Sequence, residues 1–409
     1  GWTAAETSGG TFRAVMGMSR AKNCLEFHEA LCTWSTPVLD TVYADTEGNI
    51  AYTLIGKIPI RAKGKGSLPS PGWSGEYEWT GFIPYDDLPH LYNPPGGYIA
   101  TANNHVAGSD YPYFLGCDYV CGDRAERIVE LILREPRIDV AYIRRMQFDQ
   151  VSPTAQTIAA LAGRVAVDDP QLQQIAALLR DWDGRLQADS PASVIYEVLV
   201  RELWHAIFEN RLGELLPRFK GALLNNVALG NPWGHHAWEW LRREMVRSDS
   251  PWFDLGGGET RDDVLRLALR RTADFLKEHQ GPDITGWAWG RFHQLTFQHV
   301  LGKIKPLDTI FNRGPYPVGG DVNTIWATSS PIDRAEASEG MVGPPFRFIA
   351  DLSDLTQSLG LLAPGQSGQV GSTHYDDQVQ AWFEGGYHPI LYRREDVERE
   401  QAACLELLP

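Results

Sequence analysis

Cysteine is scarce in this 409-residue sequence, and the little that is present forms no clear pattern. An odd set of five cysteines in so long a chain argues against a disulfide framework and leaves the redox compartment undecided. Cys117 and Cys121 could bracket a metal or form a disulfide. Because no second pair follows at zinc spacing, we expect two unpaired thiols.

Basic charge and long apolar runs are scarce as well. The chain has 37 basic and 52 acidic residues, a formal net charge of −15, which argues against a nucleic-acid backbone as partner. No apolar run approaches the roughly 20 residues that a membrane-spanning helix needs, so we expect no membrane partner. The sequence begins at Gly1 with neither an initiator Met nor an export signal, and we therefore expect a processed or truncated product.

Hydrophobic periodicity divides the chain into a β-rich part (1–130), a helical part (131–282) and a second β-rich part (283–409). In the first part, TFRAVMGM at 11–18 and residues 98–103 have the pattern of strands, and TVYAD with NIAYTLIG around a turn at 46–48 predicts a hairpin. In the last part we expect strands within 321–330, 344–354, 362–368 and 388–392, and residues 293–299 could form another.

The helical part has apolar residues three and four positions apart, as amphipathic helices do. Pro153, Pro170 and Pro191 precede three such runs, and proline favours the first turn of a helix because its missing N–H costs least there. Another helix is predicted over 261–280. A β-rich, helical, β-rich order suggests that the two ends complete one sheet system.

Several pairs of polar residues could carry chemistry, but ordinary structural roles explain them better. Carboxylates paired as Glu126 with Glu130, or Asp376 with Asp377, usually decorate solvated faces. The adjacent His235 and His236 favour loop capping over metal binding.

Further along the chain, His293 and His299 favour packing. The glycine run at 256–259 lacks the lysine and spacing of a phosphate-binding loop and predicts a flexible helix entry. No Ser, Cys or Thr has a nucleophile signature. Fourteen tryptophans could form a sugar-binding surface, although their spread along the chain fits core packing better.

Long composite motifs add information that the single residues lack, because they follow one another in a fixed order. In that order the chain resembles the β subunit of the penicillin amidase family, whose members are N-terminal-nucleophile hydrolases that cleave amide bonds. The stretches that carry the resemblance are TVYADTEGNIAYTLIGKIPIR, PSPGWSGEYEWTGFIPYDDLPHLYNPPGGYIATANN, GDRAERI, WGRFHQLTFQH, GGDVNTIWA, FRFIADLSD, LAPGQSG and HYDDQ. The implied fold is α+β, part of an αββα N-terminal-nucleophile hydrolase sandwich with a large helical insertion between two β-rich segments.

The resemblance also implies site residues. Asn103, the first asparagine of ANN, matches the family's side-chain donor to the oxyanion of the tetrahedral intermediate, whereas Asn104 is expected to be a turn residue. Arg124 matches an arginine beside the nucleophile's amine, where a permanent positive charge favours the neutral, basic form of the amine. The alternative for Arg124 is an ion pair at a helix start with Asp123 or Glu126. Leu39 falls where the family has an apolar residue lining the acyl pocket.

The family's nucleophile is normally the first residue of the β subunit, and Gly1 stands first here. We therefore expect the serine, a further β-subunit segment and the α subunit of the same precursor to lie upstream, so that this chain alone is inactive. No cofactor is expected. The family's structural calcium takes an aspartate where this chain has Tyr113. Asp110 could substitute and the full enzyme could bind calcium, but this sequence does not support a calcium site. A periplasmic or extracellular location fits the resemblance.

The expected function of the complete protein is hydrolysis of a small N-acyl amide of the penicillin, cephalosporin or N-acyl-homoserine lactone type. The main alternative is a non-catalytic binding or structural module built on the same fold. A carbohydrate-binding or glycosidase domain is a third hypothesis, based on the tryptophan and carboxylate content.

Overall fold

A computed structural model describes residues 2–5, 9–117, 119–216, 232–328 and 343–407. The chain divides into two compact units, Gly1–Val120 and Cys121–Pro409. The three-part division made from the sequence stays a prediction. Within the described ranges, no helix is both long enough and apolar enough to span a bilayer.

The first unit begins with two helices, α1 (Gly10–Met18) and α2 (Cys24–Leu31). The prediction of a strand over 11–18 is therefore wrong. Its apolar residues do alternate as in a strand, but the structure buries Ala14 and leaves Phe12 72% exposed. Small residues let α1 approach α2, since a Cβ on Gly17 would lie 2.8 Å from the Cβ of Ala30.

Five strands complete this unit: β1 (Leu39–Ala44), β2 (Ile50–Ile55), β3 (Pro59–Arg61), β4 (Trp79–Phe82) and β5 (His90–Tyr92). The first, second and fifth form an antiparallel sheet in the order β1-β2-β5, and β3 pairs with β4. The predicted hairpin is confirmed as β1 and β2, and Asp45 closes its turn by accepting the N–H groups of Glu47 and Asn49. The strand predicted over 98–103 is wrong, because these residues join no ladder.

One face of the three-stranded sheet is only partly covered. Tyr52 is buried at its centre, with Leu54, Ile58, Ile83 and Leu88 in the same cluster. On either side of Tyr52 in the cross-strand row stand Val42 and Leu91, which are 59% and 50% exposed. The edge strands of this unit therefore present apolar side chains to solvent.

The second unit contains the helical part. Its longer helices are α3 (Asp123–Arg134), α4 (Val140–Gln147), α5 (Pro153–Ala162), α6 (Pro170–Arg180), α7 (Pro191–Leu212), α8 (Pro232–Val246) and α9 (Arg261–Gln280). The three predicted proline starts are confirmed, and each proline follows a residue whose side chain caps the helix, namely Ser152, Asp169 and Ser190. The predicted helix over 261–280 is confirmed as α9, with a capping box between Thr260 and Asp263.

The core of this unit is centred on α7, which is buried on nearly all sides. Ile195, Leu199 and Leu203 are fully buried there, and α9 packs against it with Leu265 and Leu269. A helix that is apolar all round suits such a central position. Trp287 and Trp382 are fully buried, which fits a packing role for these tryptophans.

The last part has two small antiparallel sheets. One pairs β6 (Gln294–Phe297) with β7 (Arg313–Pro317), and the other has the order β10-β9-β8, with β8 at Phe346–Ile349, β9 at Leu359–Leu362 and β10 at His388–Pro389. Strands are thus confirmed within 344–354 and 388–392, and β6 lies within 293–299. Residues 321–328 form turns instead, 329–330 lie outside the described residues, and only Leu362 of 362–368 is in a strand. Three short helices complete the chain: α10 (Asp308–Phe311), α11 (Val379–Glu384) and α12 (Arg394–Glu400).

Candidate active site

Asn103 lies in the first unit, on a turn that holds its backbone in the left-handed region with φ 64°. Its carbonyl oxygen accepts the N–H of Val120 at 2.9 Å. The next side chain builds the turn: Asn104 Oδ1 accepts the N–H of Ala102 at 3.0 Å, and its Nδ2 donates to the carbonyl of His105 at 3.0 Å. Asn104 is thus a turn residue, as predicted, while the side chain of Asn103 stays exposed.

Asp40 anchors the same turn to the sheet, a role that the sequence did not reveal. Thr101 Oγ1 donates to Asp40 Oδ2 at 2.7 Å, and the hydroxyl of Tyr52 donates to Oδ1 at 2.6 Å. Burial, followed by this bond to Asp40, raises the pKa of Tyr52 above its usual range, so the phenol stays protonated as a donor. The carboxylate therefore fixes the approach of residues 101–104 to β1.

Leu39 opens β1 directly before Asp40 and is 43% exposed. Successive side chains of a strand point to opposite faces, so Leu39 lies on the face opposite the one that contacts Thr101. In the register it pairs with the buried Ile55. Its contact with an acyl group stays a prediction.

Arg124 lies in the second unit, in the first turn of α3. Burial lowers the pKa of its guanidinium, which the nearby Cys121 partly offsets. The two carboxylates considered as its partners bind another residue: Arg242 of α8 donates from Nη1 to Asp123 Oδ1 and to Glu126 Oε2, both at 2.8 Å. The helix-start ion pair thus forms with an arginine 119 residues further along the chain than Asp123.

Asp123 itself is buried, at 2% exposure, and forms the centre of a polar cluster. Besides the bond from Arg242, its two oxygens accept the hydroxyl of Thr154 at 3.0 and 2.9 Å. Burial raises the pKa of this carboxyl group, although Arg242 and Thr154 oppose the shift. Every oxygen of a buried carboxylate needs such partners, and here they also position the start of α3.

The turn over 321–324 extends this cluster. Cys121 Sγ donates to Asn323 Oδ1 at 3.0 Å, and the N–H of Asn323 donates to Asp321 Oδ1 at 2.7 Å. Burial raises the pKa of Asp321 to about 7. Burial, together with the charge of Asp321, also raises the pKa of Glu197 on α7. Both acids were missed in the sequence, although Asp321 is the only charged residue of the stretch GGDVNTIWA.

A second buried charge pair joins α3 to the chain after α4. Arg127 binds Asp149 through two bonds, Nε to Oδ1 and Nη2 to Oδ2, each 2.9 Å long. Both side chains are under a tenth exposed. The same arginine also donates to Glu130 on its own helix at 2.7 Å.

The carboxylates and cysteines for which the sequence predicted structural roles have such roles in the structure. Glu126 and Glu130 are held in the ion pairs just described, Asp376 pairs with Arg313, and Asp377 pairs with His374 at 2.8 Å. None of the five cysteines, each of them described, forms a disulfide. This agrees with the thiols expected at Cys117 and Cys121.

The histidines likewise serve structure. His293 is buried, its Nδ1 bonds to the carbonyl of Val318 at 2.9 Å, and burial lowers its pKa to about 4. His299 Nδ1 accepts the N–H of Leu301 at 3.1 Å and so caps a short 3₁₀ helix. Loop capping by His235 and His236 is wrong, because both residues lie within α8.

No phosphate or metal site emerges from the remaining candidates. Asp254 and Glu259 accept the N–H groups of the glycine run, Asp254 from Gly256 and Gly258 and Glu259 from Gly257. Within the described ranges, no group of three or more His, Cys, Asp or Glu could hold a metal ion.

The two positions compared with the family's calcium ligand are Tyr113 and Asp110. Tyr113 donates its hydroxyl to Asp87 at 2.9 Å, and Asp110 is exposed. Calcium binding was not expected from the sequence, and a role for Asp110 stays untested.

Similar proteins were found by sequence and by structure. A family model described as penicillin amidase matches residues 1–399. The chain is 29% identical to the penicillin acylase 2 proenzyme of Pseudomonas sp. (strain SE83), over 98% of this chain and 50% of that protein. It is 28% identical to the acyl-homoserine lactone acylase QuiP of Pseudomonas syringae pv. syringae (strain B728a), over 94% of this chain and 48% of that protein. The chain thus spans about half the length of the curated relatives it matches.

The fold is similar to that of a thermostable penicillin G acylase from Alcaligenes faecalis, with a TM-score of 0.66 and 19% sequence identity over 98% of this chain and 73% of that chain. At this identity the likeness shows the fold alone. It confirms the predicted α+β fold of the N-terminal-nucleophile hydrolase type.

Proposed function

Because this chain belongs to the penicillin amidase family, we propose that it is part of an amidohydrolase that cleaves the amide bond of a small N-acyl substrate. The names of the relatives support this substrate class, since both penicillin acylase and acyl-homoserine lactone acylase denote removal of an acyl group from an amine. The chain covers about half of those relatives. We therefore propose that an upstream segment and an α subunit supply the serine nucleophile, and that this chain alone is inactive.

Asn103 is the proposed oxyanion donor, and the construction of its turn carries the proposal. An amide that stabilises a developing negative charge must be fixed before the reaction, because reorienting it during the reaction would cost the energy it contributes. Three contacts fix the backbone around Asn103: its own carbonyl with Val120, the amide of Asn104 with Ala102, and Thr101 with Asp40.

Arg124 is the proposed electrostatic group. A guanidinium stays charged even when burial lowers its pKa, because its ordinary value lies far above neutrality. A nearby fixed positive charge lowers the pKa of an α-amine and so favours the neutral form that can accept the hydroxyl proton of the nucleophile. The polar cluster around Asp123 holds the first turn of α3 and thereby the backbone of Arg124.

The proposal is tested by Asn103→Gly in the full-length protein. Glycine accepts a φ of 64° without strain, so this variant removes the amide and keeps the turn. With benzylpenicillin or an N-acyl-homoserine lactone as substrate, amine release should fall about 100- to 1000-fold, the usual effect of losing one oxyanion donor. The melting temperature should stay close to that of the wild type.

Asn104→Ala is the matched control. It removes the bonds to Ala102 and His105 and should lower stability by about 1 kcal/mol, with a smaller loss of turnover than at the neighbouring position. An Asn103→Gly enzyme with near-normal turnover would refute the oxyanion role. If the full-length wild type hydrolyses neither substrate class, the alternative of a non-catalytic module on the same fold is favoured.

A further inference from the structure

The helical part of the second unit contains a cavity of about 500 Å³ between α7, α8 and the 3₁₀ helix Pro251–Phe253. Four aromatic side chains dominate its walls, namely Trp204, Phe208, Trp240 and Trp252. Small-molecule sites in proteins are commonly clefts of about 300–1,000 Å³ with largely apolar walls. The size and lining of this cavity therefore match those of a ligand site.

The four rings pack against one another and form a rigid wall. Trp204 stacks on Phe208 with centroids 5.0 Å apart, and Trp240 meets Trp252 edge to face at 5.4 Å. Phe208 contacts Trp240 at 5.3 Å and so joins the two pairs. Since each ring is held by its neighbours, the wall exists before any ligand arrives, and a ligand would not have to order it.

Arg211 also lines the cavity, but most of its N–H donors are already used. Nη1 donates to the carbonyls of Ile207 and Trp252 at 2.8 and 3.0 Å, and Nη2 donates to the carbonyl of Asp254 at 2.6 Å. The guanidinium also lies 5.3 Å from the ring centroid of Trp252. Its hydrogen bonds tie the loop at 251–254 to α7, and they leave the group poorly suited to bind a carboxylate ligand.

We propose that this cavity binds a small neutral aromatic molecule. Ring edges and faces on the wall favour a planar aromatic guest, because aromatic pairs gain energy in offset or edge-to-face contacts beyond that of simple burial. A neutral guest fits the mostly apolar walls, since burying an unpaired charge against them would be costly; besides Arg211, His236 is the other polar group of the lining. This inference concerns the helical part only and does not depend on the proposed amide hydrolysis.

The test uses benzyl alcohol as the probe and cyclohexylmethanol as its saturated counterpart of similar shape. The full-length protein, labelled with 5-fluorotryptophan, is titrated with each compound and followed by ¹⁹F NMR. Benzyl alcohol should bind saturably and shift the signals of Trp240 and Trp252, and cyclohexylmethanol should bind at least fivefold more weakly. Absence of saturable binding of benzyl alcohol, or equal affinity for the two compounds, would overturn the proposal.

Two variants locate the binding. Ala237→Phe fills the cavity from a small residue of its wall and should weaken the binding of benzyl alcohol at least tenfold. Its melting temperature should be no lower than a few degrees below that of the wild type. Trp252→Leu removes one ring and should weaken the binding of benzyl alcohol similarly. The matched control is Trp182→Leu, another half-buried tryptophan of the helical part that does not line the cavity. Unchanged binding to both cavity variants, or equal weakening by the control, would place the bound probe elsewhere and refute the proposal.

Discussion

The helical core around α7 and the three-stranded sheet of the first unit bury their apolar residues to very different degrees. Leu199 on α7 is fully buried, whereas Val42 on β1 is 59% exposed. Charges differ as well: the second unit buries Arg127 with Asp149, while Asp45 of the first unit lies in a hairpin turn.

This contrast indicates that the helical core depends less on other segments than the three-stranded sheet does. A core enclosed by helices derives its stability from contacts within the unit. An edge strand with exposed apolar side chains is typical of a surface that another segment covers. The chain also spans about half the length of its curated relatives, which supports the proposal of an upstream partner segment.

The largest loss of stability is expected from Asp149→Asn. The change removes the charge that compensates Arg127 in a buried, doubly bonded pair, and breaking such a pair typically costs about 3–5 kcal/mol. Urea unfolding followed by tryptophan fluorescence measures it. Glu130→Gln, at the half-exposed partner of the same arginine, should cost less than about 1 kcal/mol. Equal losses in both variants would show that burial is not what distinguishes them.

Leu199→Ala is expected to cause the second-largest loss of stability. It leaves a cavity in the centre of the helical core and should lower the free energy of unfolding by about 2–5 kcal/mol. Leu215→Ala removes the same atoms from a side chain that is 56% exposed and serves as the control. If the control is as damaging, the helical core is less self-contained than its burial indicates.

Thr260→Ala should have a smaller effect. The change removes the hydroxyl that caps α9 and its capping box with Asp263, at a cost of about 1 kcal/mol. Thr260→Ser keeps the hydroxyl and should restore most of the loss in thermal unfolding. A serine variant as unstable as the alanine variant would mean that the methyl group, and not the cap, matters.

Val42→Ala should have the smallest effect in the isolated chain, within about 0.5 kcal/mol, because the side chain is mostly exposed. Repeating the measurement in the full-length protein tests the difference between the sheet and the helical core more directly. If a partner segment covers this face, the loss there should rise to about 1 kcal/mol or more, as for a buried methyl group. A loss of that size already in the isolated chain would contradict the contrast between the two regions.

Local signals in the sequence predicted the helices well. Each of Pro153, Pro170 and Pro191 follows a Ser or Asp cap, and these signals act within a few residues of one another. Asn104 was likewise predictable as a turn residue, because its side chain bonds to the adjacent backbone. The helix α1 was not, since tertiary packing against α2 overrode an alternating pattern of apolar residues.

The surroundings of the candidate site residues could not be predicted from local patterns. Arg242 reaches Asp123 from 119 residues away, and Thr101 meets Asp40 from 61 residues away. Such pairs depend on how the chain folds back on itself, and single-sequence periodicity contains no information about that. The matches for Asn103 and Arg124 came from motif order, and their catalytic roles stay predictions.

The buried acids Asp321 and Glu197 have a further consequence. Their pKa values are raised in the folded chain, so at near-neutral pH the folded state holds protons that the unfolded state has released. These two acids therefore contribute an uptake of protons to the folding of the second unit, and their contribution becomes less favourable as the pH rises from about 4 towards about 7, the pKa of Asp321. The lowered pKa of His293 contributes in the opposite direction. Taken alone, the two acids would make a weakly buffered solution more alkaline on folding, and a pH indicator could follow it.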